Sequence, residues 1–254
     1  MKIKIITASQ SDELYSYSKS FYNELEYEKV CVNGLANFSF FDYILRVYKF
    51  GDCDWAIFLD EDCFITDINA MLDLLNYQIN NNIHCSGVPD GGVISHRFHN
   101  PVSINPFFSI MNVGEIRKKY NLPSNNVYST YYGHDLDKFI PHNLISVSRP
   151  YYEKFKRTVN PDYKPYGVIY NDVEKYYKLY FWLLRNEYKI LYLDGYDYED
   201  DDFTTVAKNH NGVDFAYHTW FARDWHVSTN KERILKVISY CNSIKRGEYK
   251  NDEK

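Results

Sequence analysis

Long apolar runs are missing from this 254-residue chain. No stretch approaches the roughly 20 residues that a membrane-spanning helix needs, so none is expected. CxxC pairs are missing too: Cys31, Cys53, Cys63, Cys85 and Cys241 stand apart, the first four in or beside predicted strands. Isolated thiols of this kind behave as small buried hydrophobes, which favours a reducing, cytoplasmic setting. Positive charge is not in excess, because the formal net charge is -5 and the pI about 5.9. A general nucleic-acid surface is therefore not expected. The segment Gly87-Val88-Pro89-Asp90-Gly91-Gly92 is a turn system with close backbone approach, yet it matches no phosphate-loop signature. Internal repeats are absent. The opening MKIKIITASQ has two lysines and only a brief apolar run, so it reads as a first strand and not a signal peptide.

Hydrophobic residues make up 45% of the chain, enough for one substantial domain with no composition break that forces a split. Aromatics reach 18%, largely through 26 tyrosines, whose flat rings and hydroxyls suit contact with bases and sugars. Ile3 to Ile6 is the predicted first strand, with Ser9 capping a helix to about Glu24. Val30 to Val32 forms a second strand, and Phe41, Ile44, Leu45 and Tyr48 fall at helical spacing before Gly51. A third strand follows, and the β, α, β, α, β order predicts a doubly wound sheet. Further on, Asn171 with Glu174 predicts a helix start, Lys189 to Leu193 a strand closed by Asp194 and Gly195, and Val213 to Phe221 a strand carrying His218. Thr229 with Glu232 forms a capping box for a terminal helix, and Lys118 to Pro165 is illegible by periodicity. The tail residues Lys245, Arg246, Lys250 and Lys254 allow a weak peripheral contact with an anionic membrane, against the plainer reading of a solvated end.

The chain is organised around DWAIFLDEDCFITD, Asp54 to Asp67. Trp55 to Leu59 is a short continuous apolar run that suits a strand buried on both faces. It ends in Asp60, Glu61 and Asp62, where ligands of parallel sheets bind. If the extended form continued through Asp62, period-two geometry would put Asp60 and Asp62 on one face and Glu61 on the other. Two converging carboxylates point to a hard divalent cation completed by water or substrate phosphate. The plainer alternative is a set of loop acids that mark the end of a buried strand.

This lead, followed by a late lone histidine, resembles the GT-A class of nucleotide-sugar-dependent glycosyltransferases, in their family-2-like form. Asp60-Glu61-Asp62 matches their DxD motif. The resemblance implies a GT-A-like, Rossmann-like α/β fold with a mostly parallel central sheet flanked by helices and an acceptor-side elaboration. It also implies a single domain over 1–254, with a nucleotide-sugar half at 1–92, an acceptor and catalytic half at 93–228, and a terminal helix and tail at 229–254. Asp60, Asp62 and His218 would hold Mn2+ or Mg2+, and Asp60, Glu61 and Arg223 would meet the donor, a UDP-sugar by preference. The acceptor would be a glycan or lipid-linked hydroxyl, in a setting such as bacterial surface polysaccharide synthesis.

The expected donor pocket also includes Thr7, Ala8 and Ser9 at the first strand end and Asn33 at the second. An inverting transfer needs a carboxylate to take the acceptor proton. Asp172 is the first choice, although an acid in a first helical turn is favourable without any chemistry. Asp201 and Asp135 are the reserves. Two rival readings stay open: a sugar-phosphate nucleotidyltransferase, which would normally open with a glycine-rich basic loop, and a non-enzymatic carbohydrate-binding protein.

Overall fold

The computed structural model describes residues 1–33, 52–94, 97–98, 100–119, 134–139, 176–201 and 203–248. A mixed six-stranded sheet forms the centre, in the order β2 (Glu28–Asn33), β1 (Ile3–Ser9), β3 (Trp55–Asp60), β8 (Phe108–Met111), β5 (Cys85–Gly87) and β9 (Ile190–Tyr192). Only β8 runs against the others. A four-stranded antiparallel sheet, β10 (Gly195–Asp197), β11 (Thr205–Lys208), β12 (Asp214–His218) and β4 (Cys63–Ile65), stands beside it. A hairpin of β6 (Gly91–Ile94) and β7 (Arg97–Phe98) completes the strands.

The continuous apolar run at Trp55 to Leu59 is explained by burial on both sides, and each side chain goes where the strand pleat sends it. Ala56 and Phe58 pack with Ile6, with Val113 and Ile116 of α3 (Val113–Lys119), and with Tyr177, Tyr180, Leu183 and Leu184 of α4 (Tyr177–Arg185). Trp55, Ile57 and Leu59 pack with Ile5 and with Met71, Leu74 and Leu75 of α2 (Ile68–Asn80). Burial of each large side chain contributes about 1.5–3 kcal/mol, so β3 is the anchor of both core layers. Gly87 is fixed by close approach, since a Cβ there would lie 2.3 Å from Ile104 and 2.6 Å from the Phe108 carbonyl.

A third apolar cluster joins α1 (Asp12–Ser20) to α5 (Ser228–Lys245), with Leu14 and Phe21 against Ile234, Val237, Ile238 and Cys241. Glu13 ties the same two helices, accepting bonds from Lys231 Nζ at 2.8 Å and Trp225 Nε1 at 3.0 Å. These donors hold its carboxyl below the ordinary value. A depressed carboxylate stabilises the fold above its unfolded pKa, and the contribution is lost as pH falls through the folded one. Glu13→Gln should therefore lower Tm slightly at about pH 6, with the difference closing towards about pH 3; parallel thermal melts at the two pH values measure this.

Several local expectations are corrected. Ser11, not Ser9, caps α1, accepting from Leu14 N at 3.2 Å, because Ser9 is still part of β1. The Thr229–Glu232 capping box does not form: α5 begins at Ser228 after Val227, with no side-chain cap. Gly195 opens β10 instead of closing a strand, and β12 ends at His218 because Trp220 and Phe221 turn left-handed. Gly91 and Gly92 lie in β6, so the glycine-rich turn system is shorter than expected. The predicted helix over 41–51 and the Asn171–Glu174 start lie outside the described residues. Among the described residues no helix is long and apolar enough to cross a membrane.

Candidate metal centre

The strand carrying the acids stops at Asp60, and Glu61 and Asp62 form a turn into β4. The condition for period-two placement of Asp60 and Asp62, an extended chain through Asp62, is therefore not met. The turn brings the two aspartates together instead, and strand pairing supplies the third group. β4 runs antiparallel to β12 with Cys63 opposite His218, and Thr219 N donates to the Asp62 carbonyl at 3.0 Å. That register sets the His218 imidazole beside the Asp62 carboxylate, Nε2 to Oδ1 at 3.2 Å.

Asp60, Asp62 and His218 each present one ligand-type atom within 4.8 Å of the others. Asp62 and His218 are buried, whereas Asp60 at the strand end is half-buried. Carboxylates gathered in a poorly solvated place disfavour one another's charge unless a cation or proton lies between them. The residues fit a divalent cation on this ground. Oxygen donors suit the hard ions, and the imidazole extends the range to transition metals.

The imidazole is confined from its sides. Phe107 stacks on it at 4.4 Å with 7° between the planes, and Trp220 leans on it at 4.4 Å and 53°. Phe107 is itself fixed, because its carbonyl accepts from Asp60 N at 3.0 Å and its N–H donates to Asn105 Oδ1 at 3.2 Å. Asn105 in turn donates to Asp90, which also accepts hydroxyl bonds from Tyr176 at 2.7 Å and from Tyr177. His218 Nδ1 is buried and has no hydrogen-bond partner among the described residues.

Glu61 points elsewhere. Its Oε2 accepts from Ser9 Oγ at 2.7 Å, Gln10 N at 2.9 Å and Ser11 N at 2.8 Å, so it ties the acidic turn to the start of α1. Burial pushes its carboxyl up from the ordinary value, against the pull of these three donors. Thr7 is also turned into the core, sharing a 2.9 Å bond with the Tyr22 hydroxyl. Ala8 is the cross-strand neighbour of Asp60, and Ser9 that of Asn33. Exposed Asn33 donates to Asp12 Oδ1 at 3.2 Å.

Of the other expected residues, Arg223 is exposed in the 3-10 turn Ala222–Asp224 that follows His218. Asp201 is committed to its surroundings, accepting from Phe203 N, Thr204 Oγ1 and Arg233 Nη1. Asp135 lies in the 3-10 helix His134–Phe139, and Asp172 lies outside the described residues. The sequence reading gives no site role to Asp12, Asp90, Trp220 or Arg233, and it takes Asn105-Pro106-Phe107-Phe108 as suited to a sugar-contacting surface, whereas Phe107 stacks on His218. Trp220 was discoverable as the aromatic two residues beyond the histidine, while the others carry no local signal.

No protein-family model matches the chain, and no curated protein does. Among solved structures, it is similar to A197 from STIV, at 17% identity and a TM-score of 0.37 over 48% of this chain and 70% of that one. It is similar to the mannosyltransferase PcManGT from Pyrobaculum calidifontis, solved with GDP-Man and Mn2+, at 5% identity and a TM-score of 0.37. That match covers 48% of this chain and 47% of PcManGT, so this chain spans less than half the length of that protein. It is also similar to a glycosyltransferase involved in glycosylation of the major capsid of PBCV-1, at 16% identity and a TM-score of 0.33, over 63% of this chain and 75% of that one. At these scores the likenesses assign neither a substrate nor a role to any residue.

Proposed function

We propose that this chain is a metal-dependent glycosyltransferase that moves a sugar from a nucleoside-diphosphate sugar to a glycan or lipid-linked hydroxyl. The observation that carries the reading is the meeting of Asp60, Asp62 and His218 at the carboxyl end of β3, a buried strand inside the central sheet. Asn33, Ser9 and Asp60 close three adjacent parallel strands in the order β2, β1, β3. A nucleotide laid along those ends would put its nucleoside towards Asn33 and Asp12 and its diphosphate towards Asp60 and Asp62.

A cation, Mn2+ or Mg2+, held by Asp60, Asp62 and His218 would neutralise a departing diphosphate. Arg223, on the turn beyond His218, is the side chain assigned to a phosphate oxygen. Glu61 and Thr7 shape the pocket from behind. Asp172 takes the acceptor proton in an inverting transfer, with Asp135 in reserve. Asp201 is better suited to holding than to proton transfer, because its carboxylate oxygens already accept from Phe203 N, Thr204 Oγ1 and Arg233 Nη1. A UDP-sugar is our first choice of donor.

Thermal melts with UDP-, GDP-, CMP- and dTDP-sugars, each with and without Mn2+, test the proposal. One donor should raise Tm only when Mn2+ is present, and sugar should be released slowly from it. No metal-dependent shift with any donor would overturn the reading. Pyrophosphate made from a sugar phosphate and a nucleoside triphosphate would point to a nucleotidyltransferase.

A further inference from the structure

The chain behind His218 is held in an unusual way. Trp220 and Phe221 are consecutive non-glycine residues with φ of 51° and 60°. Side chains crowd the backbone in this left-handed region, and aromatic residues seldom occupy it twice in succession. Such a turn persists only where its surroundings over-determine it. Here three successive carbonyls are gathered by the first turns of α5. Arg233 Nη2 donates to the Thr219 carbonyl at 2.7 Å and to the Trp220 carbonyl at 2.9 Å, while Asn230 Nδ2 donates to the Phe221 carbonyl at 3.0 Å. Arg233 is fixed in turn, through Nη1 to Asp201 at 2.5 Å and through Nε to Asn230 Oδ1 at 3.0 Å. Its side chain is largely buried, and Asp201's more so.

The turn matters because of what it returns to the site. Trp220 folds back so that its indole N–H reaches Thr205 Oγ1 at 2.8 Å and its ring rests against His218. Thr205 is the cross-strand partner of His218 on β11. The indole therefore bridges the ladder next to the histidine and closes one side of its ring. A chain that relaxed to ordinary φ values after Thr219 would carry that indole away and leave the imidazole free to swing from Asp62.

We infer that Arg233, held by Asp201, is a positioning residue for the metal centre: it locks the left-handed Trp220–Phe221 turn and so keeps His218 aimed at Asp60 and Asp62. The inference rests on the reading of these three residues as a cation site. It makes the C-terminal helix part of that site, although no residue of α5 belongs to the cluster itself. Groups that orient ligands from behind commonly change metal affinity by about 10–100-fold when removed.

The test is Mn2+ affinity, read from the free-ion electron paramagnetic resonance signal, for the unsubstituted chain, Arg233→Gln, and Arg233→Gln combined with Phe221→Gly. Thermal melts of the metal-free proteins accompany it. Arg233→Gln should weaken Mn2+ binding about tenfold at a temperature where the protein remains folded. Glycine tolerates left-handed φ, so Phe221→Gly should restore part of the lost affinity. A role confined to stability would lower Tm and leave Mn2+ affinity unchanged in the folded protein. Unchanged affinity in Arg233→Gln, or a loss that glycine does not relieve at all, overturns the inference alone. Failure of the unsubstituted chain to bind Mn2+ overturns the metal reading, and the inference with it.

Discussion

Replacing either Asp60 or Asp62 by asparagine is expected to lower metal-dependent sugar transfer by about 10³-fold while the protein stays folded. Asparagine keeps the shape and one oxygen acceptor at each site, so packing changes little. It removes the charge that would offset a divalent cation and a diphosphate. Asp62 should be the more sensitive position, because it is buried and lies 3.2 Å from His218. Asp60 is half-buried and has more access to water. Loss of the negative charge at Asp62 removes its repulsion with Asp60 and weakens its contact with His218, two opposing effects, so Tm of the metal-free protein should change little. Single-turnover transfer measured across a Mn2+ titration is the relevant assay. Wild-type rates and wild-type Mn2+ dependence in both variants would remove these residues from the chemistry.

Asp90→Ala is expected to be strongly destabilising. The carboxyl of Asp90 is fully buried and accepts bonds from Asn105, Tyr176 and Tyr177. Truncation leaves two buried hydroxyls and an amide without that acceptor, at about 1–3 kcal/mol for each group, so a loss of about 3 kcal/mol or more follows. In a domain of this size that corresponds to a fall of about 10 °C in Tm. The effect should reach the metal centre, because Asn105 holds the Phe107 backbone and Phe107 stacks on His218. Urea unfolding measures the first part and Mn2+ affinity the second. A midpoint unchanged in urea would show that the tyrosines and Asn105 find other partners.

Much of the architecture was legible because the residues concerned act locally. The run Trp55 to Leu59 suits a strand covered on both faces, and the core residues on either side of it agree. The abrupt change to Asp60, Glu61 and Asp62 marks a strand end by composition alone. Capping was less legible. Ser9 and Ser11 both suit a cap, and the choice fell to Ser11 because β1 pairs with β2 through Ser9. Thr229 has its reciprocal Glu232, but the helix starts two residues earlier than that box would set, at Ser228 behind Val227. Strand pairing and helix docking override propensities worth about 1 kcal/mol at a terminus.

The sequence by itself determined where the acids stand, that they follow a buried strand, and that a lone histidine sits in a late strand. Each of those depends on the chemical character of neighbours in the chain. Only the tertiary structure decided that Asp62 and His218 meet, since the pairing of β4 with β12 joins segments 157 residues apart at Asp62 and Thr219. It likewise decided that Glu61 turns away to α1, that Phe107 and Trp220 flank the histidine, and that Arg233 holds the turn behind it. The register of an antiparallel pair and the packing of a distant helix are properties of whole surfaces, and no spacing along the chain encodes them singly.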